Sequence, residues 1–119
     1  PGLIEGAHMG SGLGHEFLRH IERTKVLVHV IDMAGVGEEH DPIRDFEIVN
    51  SEMRLYNPEL ALRPTIIACN KMDLPEAGKH YEKARVILSK LGKETYPISA
   101  VTGEGVRELL EAIAKALVV

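Results

Sequence analysis

The sequence is poor in cysteine, in aromatic residues and in long apolar runs. Among its 119 residues there is one cysteine, Cys69, and no tryptophan, and aromatic residues make up 4%. A single thiol excludes an internal disulfide and suits a reducing compartment. No run approaches the roughly 20 apolar residues that cross a bilayer, and no basic stretch followed by an apolar one opens the chain. We therefore expect a cytoplasmic protein with no membrane partner.

The sequence also lacks an excess of positive charge. Its 14 lysines and arginines stand against 18 acidic residues, for a net charge of −4. This balance disfavours a protein whose whole surface grips nucleic acid, and we expect no sequence-specific DNA partner. What is present is 45% apolar residues, and a chain of this length buries roughly two-thirds of its unfolded surface. One globular domain is therefore expected.

Three apolar runs alternate with helical patterns along the chain. The runs cover residues 25–32, 65–69 and 95–98. The first two lack alternation, which is typical of strands buried on both faces of a parallel sheet. His29 lies inside the first, where a hydrogen-bonded histidine at the edge of the core is favoured over a ligand. Proline in the third indicates an edge or a strand end.

The helical patterns complete three strand–helix units. Asp41-Pro42 supplies an N-cap and a first-turn proline, and apolar residues then recur at helical spacing as far as Tyr56. Further helices are predicted over residues 77–91 and from Val106 to Leu117, and a short one precedes the first strand. The order predicts an α/β fold, with a parallel sheet, right-handed crossovers and helices on both faces.

In a parallel sheet, chemistry is expected in the loops after the strands, here those after Ile31, Cys69 and Ile98. Two of these three loops carry a recognisable signal. Asn70-Lys71-Met72-Asp73 follows the second strand, and Ser99-Ala100 follows the third. Both belong to the carboxyl end of a parallel sheet, where ligands bind. The alternative is an ordinary turn, because Asn and Asp are common turn residues.

The chemistry of these residue types suits guanine. A carboxylate such as Asp73 can accept parallel hydrogen bonds from N1–H and the exocyclic amine of guanine, which adenine does not offer. The stem of Lys71 can lie against the base, Asn70 can tie the loop to its neighbours, and the N–H of Ala100 can donate to O6.

Together the two loops resemble the fourth and fifth guanine-specificity motifs of the Ras-like GTPase fold, within the P-loop NTPases. Residues 1–8 and 12–24 resemble the switch II region of the Obg family, and Val30-Ile31-Asp32 and Leu74-Pro75 agree with it. The resemblance spans essentially the whole of residues 1–119. It implies a switch II loop and helix over residues 1–24 and three strand–helix units with guanine-recognition loops over residues 25–119.

The resemblance implies a set of nucleotide-binding residues. Gly2, with Pro1, would belong to the family's DxPG motif and contact the γ-phosphate. Leu3 stands where Ras-like proteins have the glutamine that orients the attacking water, so no catalytic side chain is expected in this chain and hydrolysis should be slow. The residues expected at the base are Asn70, Lys71, Met72, Asp73, Ser99, Ala100 and Val101.

A phosphate-binding loop of the form GxxxxGK[ST] does not occur in these residues. Gly78-Lys79 and Gly92-Lys93 are followed by neither Ser nor Thr. We therefore expect the C-terminal part of a GTPase domain, with the phosphate loop, the switch I threonine and the Mg²⁺ ligands upstream of Pro1 and no metal ligand within the chain.

The resemblance also implies what the intact domain does. It would bind GTP and GDP with Mg²⁺, hydrolyse GTP slowly and act on the large ribosomal subunit during assembly, with links to stress signalling. The alternative is a non-enzymatic structural or interaction fragment that binds no nucleotide. A basic cluster at Arg19, His20, Arg23 and Lys25 is interpreted as a solvated helix face, with ribosomal RNA as the functional alternative.

Overall fold

The computed structural model describes residues 14–34 and 41–118, which form a parallel three-stranded sheet with helices packed against it. The predicted switch II loop, with Pro1, Gly2 and Leu3, lies outside these residues. The elements follow in the order α1 (Gly14–Ile21), β1 (Leu27–Asp32), α2 (Pro42–Tyr56), α3 (Pro58–Leu62), β2 (Thr65–Asn70), α4 (Ala77–Lys90), β3 (Glu94–Pro97) and α5 (Val106–Leu117).

The strands lie in the order β1-β2-β3, and both pairings are parallel. Alternate side chains of β2 face opposite layers. Ile67 and Cys69 pack in a core cluster with α2 and α4, whereas Ile66 and Ala68 pack with Leu109 of α5. The predicted α/β fold with helices on both faces is confirmed.

The unbroken apolar run of the first strand predicts burial on both faces. In the described part of the chain this prediction is wrong. Ile31 is 2% exposed, but Val28 is 38% and Val30 57% exposed. Within the described sheet β1 is an edge strand, and the helix on that face, α5, packs over Ile66 and Ala68 of β2. The hydrophobicity of a strand alone does not tell whether a helix of the described chain covers a given face of it.

Helix α3 was not predicted, although the sequence carries its signal. Asn57 precedes Pro58 as Asp41 precedes Pro42, and the Asn57 side chain accepts a hydrogen bond from the Glu59 N–H at 3.1 Å. A capping side chain followed by proline is a helix start in both places. With only five residues, α3 is too short to show a periodic apolar pattern.

Helix α1 packs against α2 and α3. Leu18 is fully buried in a cluster with Met53 and Leu60. Just beyond α1, the Glu22 carboxylate accepts a hydrogen bond from the Tyr56 hydroxyl at 2.8 Å. This end of α1 is therefore held by both apolar packing and a polar contact.

His29 is a titratable group in the layer between β1 and α2. Its ring is stacked with Phe46 at a centroid distance of 6.1 Å. Burial lowers the pKa of His29 to about 4, because the charged imidazolium loses its hydration. The expected place at the edge of the core agrees with this setting, whereas the hydrogen bond expected for the ring is not found among residues 14–34 and 41–118.

We expect acid to destabilise the protein through His29. The unfolded chain takes up this proton near pH 6.5 and the folded chain only near pH 4, so the free energy of unfolding falls across that interval. The loss reaches about 3 kcal/mol at most. Denaturant unfolding at a series of pH values measures it. His29→Phe keeps a ring beside Phe46 and removes the titration, so equal pH slopes for the two proteins would contradict the prediction.

Candidate functional site

The two polar loops predicted from the sequence meet at the carboxyl ends of β2 and β3. The backbone joins them first. The Ile98 N–H donates to the Cys69 carbonyl at 2.8 Å, and the Met72 N–H donates to the Ile98 carbonyl at 3.1 Å. The chain that leaves β2 is thus held directly beside the chain that leaves β3.

Two side-chain hydrogen bonds then link the same loops. Asn70 Oδ1 accepts from the Ala100 N–H at 3.0 Å, and the Ser99 hydroxyl donates to Asp73 Oδ1 at 2.8 Å. The partners are 30 and 26 positions apart in the sequence. Each loop is therefore shaped by the other rather than by its own sequence alone.

Ser99 is the buried centre of this arrangement. It is fully buried, its hydroxyl accepts from the Thr102 N–H at 3.1 Å, and its carbonyl accepts from the Gly103 N–H at 2.7 Å. These bonds close a turn that leaves Ala100 and Val101 outside, where Val101 is 88% exposed. The turn presents backbone groups at the surface beside Asp73.

Asp73 is exposed and keeps accepting capacity. A carboxylate has about four lone-pair sites, and the Ser99 hydroxyl uses one of them, on Oδ1. Asp73 Oδ2 accepts no hydrogen bond from any residue in the described part of the chain. The carboxylate can accept two further parallel donors while Ser99 holds its orientation.

Lys71 has an unusual backbone and a charged partner. Its φ is 71°, in the left-handed region that residues other than glycine rarely adopt. Its ammonium lies 2.8 Å from Asp32 Oδ2, at the end of β1. The lysine stem is thereby drawn across the carboxyl end of the sheet toward β1.

Asp32, at the end of β1, is a residue beside the two loops that the sequence did not assign to the site, although the end of this strand was among the places where a ligand was expected. Asp32 lies opposite Asn70 in the parallel register. The Met33 N–H donates to the Asn70 carbonyl at 3.0 Å, and the Met33 carbonyl accepts from His80 Nδ1–H at 2.6 Å. An acidic residue at the last position of a strand was the available signal, since the carboxyl ends of all three strands share one edge.

The N–H of Ala100 is already engaged in this structure. It donates to Asn70 Oδ1, so it reaches a ligand oxygen only if the bond is shared or Asn70 turns away. Two other expected residues, Pro1 and Gly2, lie outside the described range. Among residues 14–34 and 41–118 there is no group of three or more His, Cys, Asp or Glu side chains placed to hold a metal ion. Over the same residues, no helix has the length and apolar character needed to span a membrane.

Comparison with known proteins identifies a family and relatives. The model of the 50S ribosome-binding GTPase family matches residues 1–71. A GTPase Obg of Symbiobacterium thermophilum is 61% identical over 112 residues, which are 94% of this chain and 26% of that protein. A GTPase Obg of Alkaliphilus oremlandii is 56% identical over 98% of this chain and 27% of its own length. The chain spans about a quarter of the length of these relatives.

Solved structures share the fold. A variant of Aquifex aeolicus Era bound to GDP and AlF4⁻ superposes with a TM-score of 0.63 at 23% identity, over 93% of this chain and 35% of that one. Era in complex with MgGDPNP and nucleotides 1506–1542 of 16S ribosomal RNA gives 0.62 at 28% identity, over 87% and 34%. The FeoB G-domain of Methanococcus jannaschii gives 0.57 at 23% identity, over 92% and 64%.

Proposed function

Since the chain belongs to the 50S ribosome-binding GTPase family, we propose that it supplies the guanine-recognition loops of a GTPase domain like that of Obg. The observation that carries this proposal is the pair of bonds between the loops, Asn70 to Ala100 and Asp73 to Ser99. They place one oriented carboxylate beside a turn of exposed backbone, the arrangement that guanine's Watson–Crick edge requires.

Each residue has a distinct role at the base. Asp73 accepts from N1–H and the exocyclic amine, which selects guanine over adenine. The Lys71 stem lies against the base, with Met72 and Val101 beside it. The N–H of Ala100 donates to O6 while Asn70 shares or releases it. Ser99 keeps the Asp73 carboxylate in place.

The complete protein would bind GTP and GDP and hydrolyse GTP. Residues 1–24 would form switch II, with Gly2 at the γ-phosphate, and residues 25–119 the base-recognition part. The apolar Leu3 does not orient a water molecule, so hydrolysis is slow and needs another group. Mg²⁺ would neutralise phosphate charge. The described residues offer it no ligand cluster, and its ligands belong to the phosphate-binding part of the protein.

The partners follow from the family. Its description names the 50S ribosome, whose large subunit is the expected partner. We infer that the complete protein acts in the cytoplasm on the large ribosomal subunit during assembly, with a link to stress signalling through its guanine nucleotide.

Competition binding tests the proposal. The complete GTPase that carries this chain is loaded with a fluorescent GDP analogue in Mg²⁺ buffer and titrated with GDP, GTP, ADP and ATP. We expect the guanine nucleotides to displace the probe at concentrations at least on the order of 100-fold lower, because adenine leaves Asp73 unpaired. If the complete protein binds no guanine nucleotide, the alternative is favoured, in which this chain has a structural or interaction role without nucleotide binding.

A further inference from the structure

The Asp32–Lys71 ion pair joins the end of β1 to the base-recognition loop. Asp32 Oδ2 lies 2.8 Å from the lysine ammonium, and the two side chains are 34% and 49% exposed. A half-exposed pair of this kind contributes little to stability. Its geometry is nevertheless well defined on one side, because the Asp32 carboxylate is held by a second hydrogen bond, from the Ala34 N–H.

The Asp32 carboxylate is held by its own loop. Its Oδ1 accepts from the Ala34 N–H at 2.8 Å, which leaves Oδ2 facing the lysine. Met33, the residue between them, is bonded through its N–H to Asn70 and through its carbonyl to His80. The aspartate is therefore a fixed point relative to β2 and α4.

The lysine side chain starts from a backbone that few residues tolerate. At a φ of 71° the Cβ of Lys71 is crowded by its own carbonyl. An unpaired lysine at the end of a loop would sample many rotamers, and each would have to be frozen when a ligand packed on its stem.

We propose that Asp32 is a positioning residue for the nucleotide base. By holding the Lys71 ammonium it lays the methylene stem across the carboxyl end of the sheet before the base arrives, so the ordering of that stem does not weaken binding. This inference rests on the proposed function. The stem touches the face of the base rather than its edge, so Asp32 sets affinity and leaves the choice of base to Asp73.

The test measures Kd for GDP and GTP in the complete GTPase and in its Asp32→Asn variant. Asparagine keeps an acceptor for the Ala34 N–H and removes the charge. We expect both affinities to fall roughly 3- to 10-fold and by the same factor. The preference for GDP over xanthosine diphosphate (XDP) should be unchanged. Glu82→Gln is the matched control, because it breaks the ion pair with Arg85 at 3.0 Å on α4 and should leave Kd unchanged.

A double-mutant cycle separates positioning from general stability. In a Lys71→Met background, Asp32→Asn should change Kd less than about twofold, since the charge that it positions is gone. Equal losses in both backgrounds, or an unchanged Kd for Asp32→Asn alone, would overturn the inference. If the wild type binds no guanine nucleotide, the proposed function fails as well. Asp32→Ser, which keeps a hydroxyl acceptor, replaces Asp32→Asn if that variant does not fold.

Discussion

Replacing Asp73 by asparagine in the complete GTPase should convert a preference for guanine into a preference for xanthine. The asparagine side chain offers one acceptor and one donor where the carboxylate offers two acceptors. Guanine then meets a donor with its own amine, whereas xanthine has a carbonyl at that position and pairs with the amide. We expect the affinity for GDP to fall roughly 100-fold, the loss of one charge-assisted hydrogen bond.

The measurement is competition between GDP and XDP for the nucleotide site of each protein. Glu76→Gln is a suitable control, because Glu76 is an exposed carboxylate close to Asp73 that makes no capping hydrogen bond to α4. That variant should keep the wild-type preference. If Asp73→Asn also keeps it, the assignment of Asp73 to the base is wrong.

Among alanine substitutions at Gly78, Gly92, Gly103 and Gly105, the one at Gly105 should be the most destabilising. Gly105 begins the turn into α5 with a φ of 76°, and a Cβ built there lies 2.2 Å from the Pro97 carbonyl oxygen and 3.3 Å from Ile98 Cα. Both atoms are backbone at the end of β3, so they give way only if the chain leading to Ser99 shifts. We expect the free energy of unfolding to fall by about 3 kcal/mol or more.

Two other glycines provide a graded control for this effect. Gly103 has a φ of 86° but open space around its Cβ position, so Gly103→Ala should cost about 1 kcal/mol of backbone strain alone. Gly78 lies in α4 with nothing within 4 Å, and Gly78→Ala should stabilise the helix by about 0.5–1 kcal/mol. Denaturant unfolding gives the three values. A cost at Gly105 no larger than that at Gly103 would contradict the close approach to Pro97.

The same region shows how far sequence reasoning reaches. Asn70, Asp73 and Ser99 could be predicted to meet because each follows a strand, and parallel strands bring their carboxyl ends together. Asn70 was expected to tie its loop to a neighbouring one, but the atom that bonds to it could not be predicted. Whether the Ala100 N–H bonds to Asn70 or points to solvent depends on the register between β2 and β3, which the order of residues in the sequence does not contain.

Errors elsewhere have similar physical origins. The run at Val28 and Val30 predicts burial, yet exposure is set by which helix crosses which strand, and α5 packs over Ile66 and Ala68 of β2. Asp32 was noted as part of the family resemblance but was not assigned to the site, because its partner Lys71 is 39 positions away and only the strand register brings the two together. Local signals such as caps and periodicity were sufficient for the helices, whereas contacts between elements required the fold.

The contact between Asp73 and guanine is tested most directly by two distances in one crystal structure. A crystal structure of the complete GTPase with bound GDP would give the separation of the Asp73 carboxylate oxygens from guanine N1 and its exocyclic nitrogen. We predict about 2.7–3.2 Å for both pairs, with Ser99 still bonded to the carboxylate. A base bound away from the loops at Asn70 and Ser99, with Asp73 facing solvent, would contradict it.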